Sequence, residues 1–312
     1  MGFWNMALRI IFLLQTTIGI LGNFSFIFYY LILYYRQGTL KPTDLILMHI
    51  MAANALIILS FGVPNTMTAF GMKQFLNDFA CRFLLFIQKF GRTVSIGSTC
   101  LLSIFQAMTI SPSESCWKDY KHRAAKYIGS SISGLWGFSM LINIFSSMDK
   151  FFSRNSENVT RKRDFGYCTI VIHDEISEFL YGVLVMCPEV FLSVLIAWSS
   201  MSMIIILYRH KQRVQHIRST HGSSKTSPDS RATQNILLLL SSFLAFYTLS
   251  SVLRGCIALF RNQYMWLVNI NPAISLCFPS FGHFVLMNPC SFLFRLIWFG
   301  SEIKIFNIIF WK

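Results

Sequence analysis

Lys89, Arg92 and Glu189 stand inside long apolar stretches of the chain. A charge carried into a bilayer costs at least about 2.5–3.5 kcal/mol on insertion scales, so such residues persist where they pair or serve a function. Lys89 and Arg92 are one helical turn apart and share one helix face. Glu189 directly follows Pro188. At the α-helical rise, Arg92 lies roughly 16 Å along its helix from Cys81, and Glu189 roughly 16 Å from Glu178. A guanidinium and a carboxylate then reach similar depth if Cys81 and Glu178 mark one membrane face. Two outcomes are open to Glu189 on the residues alone. It can pair with a cation on another helix, or it can be protonated and hydrogen-bonded within the bundle.

No constellation for bond-making chemistry accompanies these charges. The chain has no Gly-x-Ser-x-Gly, no His-Glu-x-x-His, no phosphate-cradling loop and no paired carboxylates within an apolar stretch. His210, His216 and His221 do not follow a metal-ligand spacing and read as solvated. Residues 266–290 contain no Lys, so a retinal Schiff base, which needs an amine there, is excluded. The expectation is a non-enzyme with no metal and no cofactor.

Composition indicates what kind of scaffold carries these charges. Only 13% of the 312 residues are charged and 54% are hydrophobic, with 31 Phe. A soluble domain is about 25% charged, so this chain has too little charge to cover a water-soluble globule. Its hydrophobicity also excludes intrinsic disorder. The formal charge of +14 raises the question of nucleic acid. The basic residues lie between apolar runs, however, so a lipid bilayer is the expected partner and nucleic acid is not. A helix crossing the hydrocarbon core needs about 20 mostly apolar residues. Seven stretches qualify, at about 6–34, 45–71, 81–108, 125–148, 178–208, 234–260 and 266–290. All should be helical, because lipid cannot satisfy an exposed backbone. The fold expected is an all-α membrane protein, a seven-transmembrane helix bundle in one domain.

Charge sets the orientation. With the N-terminus outside, the inner segments 35–44, 109–126, 209–233 and 292–312 carry fifteen Lys and Arg, against ten on the outer side. That excess favours N-out, C-in. The opening MGFWN lacks a basic n-region, so the first span should serve as an uncleaved insertion signal. Cys81, at the outer end of span three, and Cys168, in the loop before span five, both face the oxidising side. A disulfide between them is expected, with two free thiols as the alternative. Asn158-Val159-Thr160 is a glycosylation sequon on the same loop. Asn23-Phe24-Ser25 matches by chance inside span one. Pro64, Pro188, Pro272 and Pro279 fall within spans and each removes a backbone hydrogen bond; Pro188 and Pro279 are hinge candidates, with a static kink as the plainer reading. The tail 292–312 is expected to lie on the inner surface as an interfacial helix; an eighth span is the rival reading, opposed by Glu302 and Lys304 near its middle.

Several stretches carry a resemblance. LKPTDLILMHIMAANALIILSFGVP (40–64), GRTVSIGSTCLLSIFQAMTISPS (91–113), YRHKQRVQHIRS (208–219), SRATQNILLLLSSFLAFYTLSS (230–251) and CFPSFGHFVLM (277–287) resemble the vomeronasal type-1 receptors, a family of pheromone G-protein-coupled receptors. The chain shares with that family the absence of an Asp-Arg-Tyr motif: span three ends in FQAMTIS. It departs in its apolar tail, and in Asn288-Pro289-Cys290-Ser291-Phe292, a loose echo of Asn-Pro-x-x-Tyr.

The resemblance implies a multi-pass receptor of the plasma membrane of sensory neurons, with a small-molecule pheromone or odorant and a heterotrimeric G protein of the inhibitory class as partners. It makes spans three and five neighbours, so Arg92 and Glu189 are expected to pair beneath the ligand pocket. Pocket candidates are Phe86, Lys89, Arg92, Glu189, Arg254 and Asn271, with Lys89 or Arg254 available to an anionic group. For any single aromatic side chain, packing is the plainer role. Lys118, Lys121, Arg123, Arg209, Lys211, Arg213 and Arg218 are the candidate G-protein contacts; anionic headgroups would attract the same residues. A bitter-taste-type receptor is the alternative within receptors. An anion channel or transporter using Lys89 and Arg92 is the alternative outside them, although no internal repeat is seen.

Overall fold

The computed structural model describes residues 2–110, 115–152, 161–172, 187–206, 208, 228–259 and 265–286. Asn158, the basic run 209–225 and the tail 292–312 lie outside the described residues. Within them the chain forms seven helical rods. They are α1 (Gly2–Gln37), a second rod made of α2 (Pro42–Ile57) and α3 (Val63–Ala69), α4 (Asp78–Ile110), α5 (Ser115–Phe152), α6 (Cys187–Ile206), α7 (Pro228–Leu259) and α8 (Met265–Leu286). On length and composition alone, Met6–Gln37, Pro42–Ala69 and Cys187–Ile206 are long and apolar enough to cross a bilayer. Leu238–Arg254 of α7 is a shorter apolar segment.

Proline shapes the second rod. Pro42 occupies the first turn of α2, where its missing N–H is no loss. Pro64 sits inside the rod and has no N–H for the carbonyl one turn back. Directly before it, Ile58–Gly62 forms a π-helical turn, which widens the helix where the regular bond cannot form. Side chains take up nearby carbonyls. Ser60 Oγ donates to Leu56 O at 2.6 Å, Asn65 Nδ2 to Phe61 O at 2.7 Å and Thr66 Oγ1 to Gly62 O at 2.8 Å.

Helices in lipid associate by close packing of small residues and by polar contacts. Both occur where α1 meets α8. A Cβ on Gly22 would overlap the imidazole of His283, and one on Gly19 would lie 3.1 Å from Ser280 Cα. Asn23 Nδ2 donates to Pro279 O at 2.8 Å, and Gln15 Nε2 to Ala273 O at 2.9 Å. The main core joins all the rods around Ile50, Met51, Ile96, Ile132, Ile196, Phe243 and Phe278. α4 and α6 are tied lower down by the paired hydroxyls of Ser103 and Ser199.

The helical architecture matches the all-α expectation, and one small extended element accompanies it. The loop before α6 contains an antiparallel hairpin, β1 (Arg161–Asp164) paired with β2 (Thr169–Ile172). Thr, Ile and Val suit extended backbone, and Gly166 takes φ 85° in the turn, a value that favours glycine. Cys168 in that turn is disulfide-bonded to Cys81 of α4. The turn from α3 to α4 grips the same hairpin: Gln74 N donates to Gly166 O at 3.0 Å, and Gln74 Nε2 to Thr169 Oγ1 at 2.7 Å. Tyr167 is buried with Cys81, Leu85 and Cys168. Burial raises its hydroxyl pKa above the ordinary phenol range.

Candidate ligand-binding site

Arg92 and Glu189 meet in the interior. Arg92 Nε lies 2.9 Å from Glu189 Oε1, and Nη2 lies 3.4 Å from Oε2. Their side chains are only 8% and 7% exposed, so the pair is shielded from water and its charges interact strongly. It ties α4 to α6, eleven residues down α4 from the disulfide.

α7 completes the arrangement. Arg254 Nη2 donates to Glu189 Oε2 at 2.9 Å. Ser251 Oγ donates to the same oxygen at 3.2 Å, and accepts from Arg92 Nη2 at 2.8 Å and Arg254 Nη2 at 3.3 Å. Arg92 also donates through Nη1 to Ser250 Oγ at 3.1 Å and through Nη2 to Tyr247 O at 3.4 Å. Arg92, Arg254 and Ser251 all present donors to the carboxylate. That set suits an ionised Glu189 rather than a neutral acid, and so favours the ion pair over the protonated alternative. The exposure is uneven: the Arg254 side chain is 31% accessible, several times more than either member of the buried pair. Arg254 therefore forms the open side of the network.

Arg92 also rests on an aromatic base. Its guanidinium lies 4.4 Å above the Tyr247 ring, within cation–π range. Tyr247 stacks on Phe243 at 4.1 Å between centroids, and both meet Phe278 of α8 edge-on. One guanidinium thus touches α6, α7 and the aromatic core.

The other expected residues are placed less centrally. Lys89 is half-buried one turn along α4 from Arg92, and its carbonyl accepts from Thr93 Oγ1. Phe86 stacks on Phe90, which meets Trp136 edge-on; its described ring contact is therefore packing. Asn271 on α8 is half-buried, and its Oδ1 accepts from Ser275 at 3.4 Å. Among the described residues, no hydrogen bond joins Asn271 to the ion pair. Arg123 is exposed near the start of α5, which also carries Lys118 and Lys121. Arg209, Lys211, Arg213 and Arg218 lie outside the described residues.

Tyr247, Ser250 and Ser251 were not among the sequence candidates. A signal for them existed. Tyr247, Ser251 and Arg254 recur at helical spacing on one face of an otherwise apolar helix.

Residues 6–298 match the model of the vomeronasal organ pheromone receptor family. The human vomeronasal type-1 receptor 2 is 45% identical over 275 residues, 88% of this chain and 70% of that protein. The human vomeronasal type-1 receptor 4 is 42% identical over 286 residues, 91% of this chain and 95% of that protein. The zebrafish (Danio rerio) olfactory receptor class A-like protein 1 is 28% identical over 279 residues, 89% of this chain and 87% of that protein. With its apolar helical bundle and its hairpin fastened to α4, the chain belongs to the vomeronasal organ pheromone receptor family: a membrane receptor rather than an enzyme.

Proposed function

We propose that this chain is a plasma-membrane chemosensory receptor, N-out and C-in across seven spans, on sensory neurons. A small organic ligand binds at the hairpin end of the bundle. The observation that carries the site is the Arg92–Glu189–Arg254 network, buried beneath a hairpin that a disulfide fastens to α4. A network joining three helices responds to any ligand that moves one of them. Lys89, Phe86 and Asn271 complete the proposed lining, and Arg254 with Lys89 suits a ligand bearing an anionic group. Binding shifts the population of bundle arrangements. The inner face, including Lys118, Lys121, Arg123, Arg209, Lys211, Arg213 and Arg218, reports the shift to a heterotrimeric G protein of the inhibitory class. In this orientation Asn158 is available for glycosylation.

The test is expression in heterologous cells, screened with volatile and steroid-like odorants while G-protein output and membrane current are both recorded. A ligand-dependent change in inhibitory G-protein output without a current of the receptor's own supports the reading. A conductance independent of any ligand would overturn it in favour of a channel.

A further inference from the structure

The turn between α3 and α4 is rich in apolar side chains that face outward. Phe70 caps the end of α3, and Phe79 and Phe83 stand on the first two turns of α4. Phe79 is 68% exposed and Phe83 50%, and Phe70 and Met72 are exposed as well. The Phe79 and Phe83 rings lie parallel with 6.4 Å between centroids, so they present one apolar surface. Further along α4, the next exposed large apolar side chain among the described residues is Ile104. The patch is confined to the hairpin end.

These side chains cannot fold inward, because the turn is fixed. Cys81, between Phe79 and Phe83, is buried and disulfide-bonded to Cys168. Asn77 Oδ1 accepts from Ala80 N at 2.8 Å and caps the start of α4. Gln74 N and Leu76 N donate to Gly166 O and Tyr167 O of the hairpin. Gln74 takes φ 51° there, a left-handed value uncommon outside glycine.

What covers the patch follows from where it sits. The rod Pro42–Ala69 is long and apolar enough to cross a bilayer, and Phe70 is the next residue. Leu59 on that rod is exposed, so the rod presents apolar surface to lipid below the turn. Lys73 and Asp78 are exposed among the aromatic residues. Charges are costly in the hydrocarbon interior, and clustered apolar side chains are costly in water. The layer that suits both is the boundary between headgroups and acyl chains.

We propose that the α3–α4 turn is a lipid-docking surface. Phe70, Met72, Phe79 and Phe83 insert beneath the phospholipid headgroups at the hairpin end of the bundle, and Lys73 and Asp78 meet their phosphate and ammonium groups. Docking there fixes the depth of the bilayer on the molecule. Arg92 lies nine residues past Phe83 on one helix, about 13 Å. The buried ion pair then stands near the midplane of a hydrocarbon core about 30 Å thick. The surface acts without the proposed ligand or G protein, and whichever membrane face the hairpin occupies.

Fluorine NMR on the full chain in phosphatidylcholine nanodiscs tests this. Trifluoromethylphenylalanine replaces Phe70, Phe79 or Phe83, one at a time; it is close to Phe in shape, and all three positions are exposed. Line broadening is compared for three paramagnetic probes: a water-soluble gadolinium chelate, a phosphatidylcholine with a nitroxide near the headgroup, and one with the nitroxide near the chain end. Each position should broaden several-fold more with the shallow nitroxide than with the deep one or the chelate. The same label at Leu21, exposed midway along α1, should respond most to the deep nitroxide. Strongest broadening of the turn by the chelate would place it in water. Strongest broadening by the deep nitroxide would place it in the hydrocarbon. No broadening by any probe would mean that protein, such as a second copy of the chain, covers it. Each of these three results would overturn the proposal.

Discussion

Charge reversal at the buried network gives the most detailed expectation. Arg92→Glu replaces a guanidinium that donates to Glu189 at 2.9 Å with a second carboxylate. Removing one partner of a buried pair costs about 3–5 kcal/mol, against a typical folding stability of about 5–15 kcal/mol. Surface expression should therefore fall severely. Glu189→Arg should be worse, because three guanidinium groups then crowd one site. Reversing both restores the α4–α6 pair but sets the new arginine beside Arg254, which lies 2.9 Å from the native carboxylate. Rescue by the double variant is therefore partial. Adding Arg254→Glu completes the mirror image and should rescue further. Even that triple variant should stay below the native chain, because a carboxylate loses the cation–π contact at 4.4 Å to Tyr247, worth about 0.5–2 kcal/mol. Surface biotinylation normalised to total protein, with thermal stability in detergent, reads the series. Double and triple variants no better than Arg92→Glu alone would refute the pairing and its extension to α7.

Three further expectations concern the frame around the site. Cys81→Ala and Cys168→Ala should each destabilise by about 2–4 kcal/mol, and the double variant should be no worse than the singles; additive losses in thermal stability would show that the two act separately. Gly22→Ala should destabilise the α1–α8 contact, because its Cβ meets His283, and His283→Ala in the same chain should recover much of the loss; a neutral Gly22→Ala would contradict the close approach. Tyr167→Phe should leave stability unchanged or raise it, since the buried hydroxyl has no hydrogen-bond partner among the described residues. In the native chain that phenol should resist ionisation above the usual pH for tyrosine, which difference absorption between the native chain and the Phe variant would detect.

What could be read from the sequence depended on which constraint was one-dimensional. Helical rise is fixed, so the matching depths of Arg92 and Glu189 follow from counting residues, given two reference points at the membrane face. The direction a side chain faces is set by rotation about the helix axis and by neighbours absent from a linear reading. Arg254 therefore stood only as one of several pocket candidates, and neither its direct bond to Glu189 nor the Ser251 hydroxyl bonded to both residues was foreseen. Ser250 and Tyr247 are small or aromatic residues in an apolar run, where packing is the default interpretation. The hairpin was missed for a different reason: its strands are four residues each, and the one rich in Lys and Arg carries no alternating pattern. Pro64 was visible as a lost hydrogen bond, but the π-helical turn that accommodates it depends on how the rod packs against α1, α4 and α8.

The decisive measurement is a structure of the receptor bound to an activating ligand. Ligand density is expected at the hairpin end of the bundle, within contact distance of Arg254 and above the Arg92–Glu189 pair, with at least one bond of the three-helix network changed in length or partner. Density elsewhere, with all the Arg92, Ser251 and Arg254 bonds to Glu189 intact, would contradict it.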